Sequence, residues 1–115
     1  MSDYRDESCL EHMIEACLKI GRLISVSRAD FDASEEKQLA LERLFEIVGE
    51  AAAKVSDEFR SLHPSVPWRQ AIAMRNFIIH DYVGVSPDIM WDTALTDIPK
   101  LLADLRATKN KSCME

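Results

Sequence analysis

Leu41-Glu42-Arg43-Leu44-Phe45-Glu46-Ile47-Val48-Gly49-Glu50-Ala51-Ala52-Ala53-Lys54-Val55-Ser56-Asp57-Glu58-Phe59-Arg60-Ser61-Leu62 decides the fold. Leu41, Phe45, Val48, Ala52, Val55, Phe59 and Leu62 follow one another in steps of four and three, the spacing of a seam between packed helices. The small residues Gly49, Ala51, Ala52 and Ala53 interrupt the bulky ones, so a tight helix crossing is expected there. The helix is expected to run from about residue 33 to Leu62, with Asp32 and Glu35 spaced as a capping box at its start. His63-Pro64 ends it, because the residue before a proline is pushed out of helical geometry.

The flanking segments read the same way. Leu10, Met13, Ile14, Cys17, Gly21 and Ile24 recur at three- and four-residue steps, predicting a first helix that ends near Ser25 to Arg28, with residues 29–33 as a connection. Pro67 is suited to open a third helix, expected to carry Arg75 and His80 and to end near Val83-Gly84, where glycine can form the cap. Ser86-Pro87-Asp88 supplies a capping hydroxyl, a first-turn proline and an acid for a fourth helix reaching about Arg106, kinked or split at Pro99. Residues 107–115 read as a frayed tail. Residues 1–115 are thus expected to form a single all-α domain, an antiparallel bundle of four or five helices.

Composition agrees with that reading. The 115 residues are 47% apolar and 30% charged, with three Gly and four Pro, values suited to a folded, helix-rich chain with one core. The net charge of −6 excludes a broad nucleic-acid-binding surface, so any RNA contact must be local. Cys9, Cys17 and Cys113 show no metal-ligand spacing, and the three histidines are scattered; no metal and no cofactor are expected. Three unpaired cysteines suit a reducing compartment, and the polar opening of the chain leads to no long apolar run. The expectation is a cytoplasmic protein without a membrane span.

Arg75-Asn76-Phe77-Ile78-Ile79-His80-Asp81-Tyr82 carries the chemistry. A guanidinium grips phosphate oxygens through a planar fork and stays charged at any working pH, while an imidazole exchanges protons near neutrality. If the third helix persists through the motif, Arg75 and His80 lie about 140° apart on its wheel, whereas Asn76 and His80, four apart, share a face. Asn76 is then placed to orient the imidazole or touch substrate, and Arg75 and His80 need a second element or subunit to converge. Trp68 and Trp91 read as packing anchors, Met13, Met74 and Met90 as core, His12 as surface and His63 as a helix stop. Glu50, beside the small-residue patch, is a weaker candidate for reaching the Arg75 cluster.

Arg, four residues, His, any residue, Tyr resembles the signature of the HepT family of HEPN ribonuclease toxins. The similarity extends over about residues 40–106, including Glu46 to Ala52, Val66-Pro67-Trp68 and Gly84-Val85; the stretch Ser27 to Leu39 departs from the family. The resemblance implies a HEPN-like helical fold, a homodimer with two motifs in a composite cleft, and metal-independent endoribonuclease action with Arg75 and His80 catalytic. It also implies a partner, a nucleotidyltransferase antitoxin that attaches AMP to Tyr82. The rival reading is a non-catalytic HEPN module that binds a nucleotidyltransferase, which the acidic charge suits equally well.

Overall fold

The computed structural model describes residues 4–77 and 86–114. Among them there is no strand. The chain forms α1 (Tyr4–Leu23), α2 (Arg28–Asp32), α3 (Glu35–Lys54), α4 (Asp57–Leu62), α5 (Trp68–Ala73) leading into a 3₁₀ turn (Met74–Asn76), α6 (Pro87–Asp92), a π-turn (Thr93–Asp97) and α7 (Ile98–Met114). This is the expected all-α bundle, built from three long helical runs with α2, α4 and α5 as short pieces between them.

The long runs lie antiparallel. Asp6, at the start of α1, meets Ser56 just beyond the end of α3, and Glu11 in the first half of α1 pairs with Lys109 late in α7. α1 packs on α3 and α7, while α3 also receives α5 and the 3₁₀ turn. The core joins Leu10, Met13, Cys17 and Ile20 of α1 to Leu41, Phe45, Val48 and Ala52 of α3 and to Ile98, Leu101 and Leu105 of α7. Full burial of each large aliphatic or aromatic side chain contributes about 1.5–3 kcal/mol. Most of the predicted seam is buried as expected; Leu62, at 57% exposure, is the exception.

Helix starts are set by serines. Ser27, Ser34, Ser56 and Ser86 each accept a hydrogen bond from the backbone N–H three residues on, at Asp30, Lys37, Phe59 and Ile89. Such caps are worth about 1 kcal/mol apiece. The cap of α3 is therefore Ser34, not Asp32, and Asp32 ends a short helix in the stretch expected to be a simple connection. The first helix also stops earlier than expected, at Leu23. The cap at Ser86, with Pro87 at the first helical position, is as predicted.

The long second helix divides. Val55 is extended (φ −68°, ψ 136°) and Ser56 opens α4. Arg60 spans the joint, donating from Nε to the Val55 carbonyl and from Nη2 to the Ala53 carbonyl, so the last carbonyls of α3 are satisfied by a side chain. Ser56 itself is anchored by Asp6, whose carboxylate accepts from the Ser56 N–H at 2.9 Å and from its hydroxyl at 2.8 Å. Asp6 is 3% exposed. Its removal deletes both bonds at a part-buried joint, so Asp6→Ala is expected to lower stability by about 1–2 kcal/mol. A urea midpoint indistinguishable from the wild type would overturn that assignment.

The last run, expected to be kinked or split at Pro99, does not end there: it passes from α6 to α7 through the π-turn. The helix widens before the proline and continues to Met114; a wider turn accommodates the missing proline N–H and its ring. Thr108 is buried and Lys109 pairs with Glu11, so the helix docks well past Arg106 where fraying was expected. Arg28 ties α2 to α6, bridging Asp32 at 2.8 Å and Asp88 at 2.5 Å and lying 5.9 Å from the Trp91 ring centre.

Candidate functional site

The site begins with Gly49. A β-carbon on this glycine would stand 2.5 Å from the Cβ and 2.8 Å from the Cα of Arg75, and would also press on the Arg75 backbone nitrogen. Only a residue without a side chain allows α3 and the 3₁₀ turn to meet this closely. The tight crossing expected from the small-residue patch is present, and its partner is the backbone of the motif arginine.

On either side of Arg75 and Asn76 the chain is tied to the core. Met74 is buried against α3, and the ring of Phe77 stands 5.1 Å from that of Phe45, centre to centre. Arg75 and Asn76, between these anchors, are both exposed. The Arg75 guanidinium has no ion pair or hydrogen bond with any described residue and is available to an anion from solvent.

The helix ends before the rest of the motif. Asn76 is the last residue of the 3₁₀ turn, and Phe77 is extended (φ −76°, ψ 109°). The expected helix through Val83-Gly84 is therefore interrupted at Phe77, and a single helical wheel cannot relate Arg75 or Asn76 to His80. The physical cause lies in the anchors: placing Phe77 against Phe45 pulls the backbone out of helical register. Pro67 precedes α5 as its capping residue instead of being its first helical residue. His80, Asp81, Tyr82 and the Gly84 cap lie outside the described residues.

The remaining candidates fall as follows. Glu50 is exposed and lines a cavity of about 220 Å³ between α1 and α3 with Cys9, His12, Arg43 and Lys54. That wall faces α1, and no hydrogen bond or ion pair joins Glu50 to Arg75. Trp68 and Trp91 are buried, the former donating Nε1–H to the His63 carbonyl at 3.0 Å. His12 is exposed, and Met13, Met74 and Met90 are buried, as expected. Cys9 and Cys17 are buried free thiols; burial pushes Cys17 up to about 12, which makes it inert as a nucleophile. Among the described residues no three His, Cys, Asp or Glu side chains are grouped to hold a metal ion, and no helix is long and apolar enough to cross a membrane.

One feature of this face escaped the sequence reading. Arg69, on α5, is exposed without a partner among the described residues and lines an open cavity with Arg60, Ser61, Trp68 and Ile72. The signal was available: from Phe59 to His80 the sequence holds three arginines and no acid, in a chain with 20 acids.

Comparison with known proteins agrees with the motif. A "putative RNase" of Caldanaerobacter subterraneus is 40% identical over 93 residues, spanning 80% of this chain and 83% of its own. A "probable ribonuclease HepT" of Thermococcus cleftensis is 42% identical over 72 residues, covering 63% of this chain and 66% of its own. A "putative RNase" of Methanocaldococcus jannaschii is 37% identical over 62 residues, covering 54% and 57%. No solved structure matches the chain. The model of the family described as "Ribonuclease HepT-like" matches residues 9–108, nearly the whole helical bundle, and the chain belongs to that family.

Proposed function

We propose that this protein is the toxin of a toxin–antitoxin pair, a homodimeric, metal-independent endoribonuclease in which Arg75 and His80 are catalytic and Asn76 supports substrate. The observation that carries the reading is Arg75 itself: an exposed guanidinium, unpaired among the described residues, on a turn locked against Gly49, five residues before His80 in the family's motif. A permanent cation with no partner among the described residues suits a phosphate oxygen that acquires charge during reaction.

The reaction balances without a metal or cofactor. The ribose 2′-oxygen forms a bond to the adjacent phosphorus as the bond to the 5′-oxygen breaks. The 2′-hydroxyl proton is lost to a base and the leaving 5′-oxygen gains one from an acid, giving a 2′,3′-cyclic phosphate and a 5′-hydroxyl end. His80 serves in proton transfer, with the two subunits' histidines able to divide the acid and base roles. Arg75 holds the nonbridging phosphoryl oxygens through its fork. The extended Phe77 ends the helical run that carries Arg75, so the separation of about 140° in a continuous helix does not count against this arrangement.

Tyr82 is the switch. A nucleotidyltransferase antitoxin transfers AMP from ATP to its phenolic oxygen, releasing pyrophosphate, and the adduct adds bulk and negative charge beside the phosphate site. Mixing the chain with such a partner and ATP is expected to add one AMP, located at Tyr82 by peptide mass spectrometry and missing from Tyr82→Phe. Modification elsewhere would remove Tyr82 from the scheme. The decisive test of the enzyme is cleavage of total RNA and tRNA, with EDTA present, by wild type, Arg75→Ala and His80→Ala. Cutting by all three alike overturns the catalytic assignment. No cutting by the wild type favours the alternative, a HEPN module that binds a nucleotidyltransferase, which the charge of −6 also suits.

A further inference from the structure

We propose that Arg69, on α5, and Arg60, on α4, form a phosphate subsite for single-stranded RNA, with Arg69 on the same helical run as Arg75. The inference rests on the proposed ribonuclease reading and extends it to how substrate is held. Three observations converge on it.

The first is charge. The chain carries 20 acidic and 14 basic residues, yet positions 59–80 contain Arg60, Arg69 and Arg75 and not one Asp or Glu. In a protein that repels polyanions elsewhere, this segment is a cationic strip leading to Arg75. Binding a nucleic-acid backbone needs local cations facing phosphates, which an overall negative charge does not prevent.

The second is shape. Arg60, Ser61, Trp68, Arg69 and Ile72 line an open cavity of about 380 Å³. Trp68 and Ile72 give it an apolar floor, while the two guanidiniums and the Ser61 hydroxyl supply donors. Trp68 is 8% exposed with its N–H committed to His63, so it serves as floor and not as a stacking platform.

The third is the state of the two arginines. Arg60 is fixed by its bonds to the Val55 and Ala53 carbonyls, which leave further guanidinium donors unused. Its nearest acid, Asp57, stands 3.8 Å away and is fully exposed, a pair too weak and too well screened to cancel the charge. Arg69, exposed and without a partner among the described residues, can swing onto a ligand. From Arg69 to Arg75 the helix and 3₁₀ turn rise about 10 Å, the length of about three stacked nucleotides at about 3.4 Å each. Around the same axis Asn76 lies about 40° and Arg75 about 80° from Arg69, a spread that one flexible strand can span. The class of ligand is therefore a flexible single strand whose phosphates, a few nucleotides from the scissile bond, rest on Arg69 and Arg60.

The test compares wild type, Arg69→Glu, Arg69→Lys and Arg106→Glu, the last reversing an exposed cation on α7 away from the strip. Binding and cleavage of a labelled twelve-nucleotide RNA are measured at several salt concentrations, alongside cleavage of a dinucleotide too short to reach the subsite. Arg69→Glu is expected to raise Kd and KM for the long RNA about 5- to 20-fold. It should leave kcat and dinucleotide cleavage within about twofold, and lower the salt slope by about 0.7. Arg69→Lys should recover most of the binding, and Arg106→Glu should match the wild type. Normal binding and KM in Arg69→Glu, with a cutting wild type, overturn the subsite and leave the ribonuclease standing. Arg69-dependent binding by a wild type that does not cut does the reverse. A wild type that neither binds nor cuts RNA overturns both.

Discussion

Replacing Arg75 by alanine is expected to lower RNA cleavage by about 100- to 1,000-fold, the loss typical of one preorganised donor to developing charge. The fold should be untouched. Arg75 is exposed and unpaired among the described residues, its hold on α3 is through backbone and Cβ atoms, and alanine keeps both. Stability within about 0.5 kcal/mol of wild type is therefore expected, and any loss of activity reads as chemistry. Arg75→Lys separates charge from geometry: the ammonium keeps the charge and loses the planar two-pronged grip, so partial recovery, about tenfold below wild type, is expected. Single-turnover cleavage of labelled RNA, with urea unfolding of each variant, checks both halves. Undiminished cleavage by Arg75→Ala would falsify the role.

The helical period was legible because burial imposes it, and the same fact explains what was missed. Val55, Phe59 and Leu62 continue the steps of four and three beyond Lys54, so the pattern carries no mark of the break at Val55–Ser56. Periodicity reports which face is buried, not whether the backbone between two buried residues stays helical. The break is announced instead by Ser56-Asp57-Glu58, a capping serine followed by two acids at the positive end of a helix dipole. Ser34-Glu35-Glu36 is the same signal, overlooked in favour of the capping box drawn from Asp32. At Pro99 the local rule predicted disruption, but Ile98, Leu101 and Leu105 bury a stripe on each side of the proline. Their packing favours a widened turn over a broken helix.

For the candidate site, the residue types were legible and their geometry was not. Arg75 was identified by its chemistry, and the crossing at Gly49 by the smallness of its neighbours. Nothing local says that the crossing partner would be Arg75, because contacts between positions 26 residues apart are set by the fold. Nor does a motif written as a spacing say that its helix stops after Asn76. Phe77 decides that by packing on Phe45, a tertiary preference that outweighs the intrinsic tendency of the segment.

Gly49→Ala should therefore do more to activity than any other single-methyl change in the described helices, and the two glycines of the described residues make a controlled comparison. In a free helix alanine is favoured over glycine by about 1 kcal/mol. At Gly21, where a β-carbon meets nothing within 4 Å, that preference is unopposed, and Gly21→Ala is expected to raise stability by about 0.5–1 kcal/mol. At Gly49 the same methyl group would sit 2.5 Å from one carbon of Arg75 and 2.8 Å from another, where carbons at rest need about 3.5–4.0 Å. The obstruction is backbone, so no rotamer change relieves it; the 3₁₀ turn must retreat by about 1 Å or the core must open. Overpacking of this kind costs about 1–3 kcal/mol, which outweighs the helix preference and leaves a net loss. Displacing a catalytic group by about 1 Å costs about 100-fold in rate, so Gly49→Ala is expected to lose cleavage out of proportion to its stability, with substrate binding at Arg69, about 10 Å along the run, largely kept. Urea unfolding, single-turnover cleavage and RNA binding on both alanine variants read these effects separately. A Gly49→Ala protein as active and as stable as Gly21→Ala would show that the crossing yields without cost and does not position Arg75.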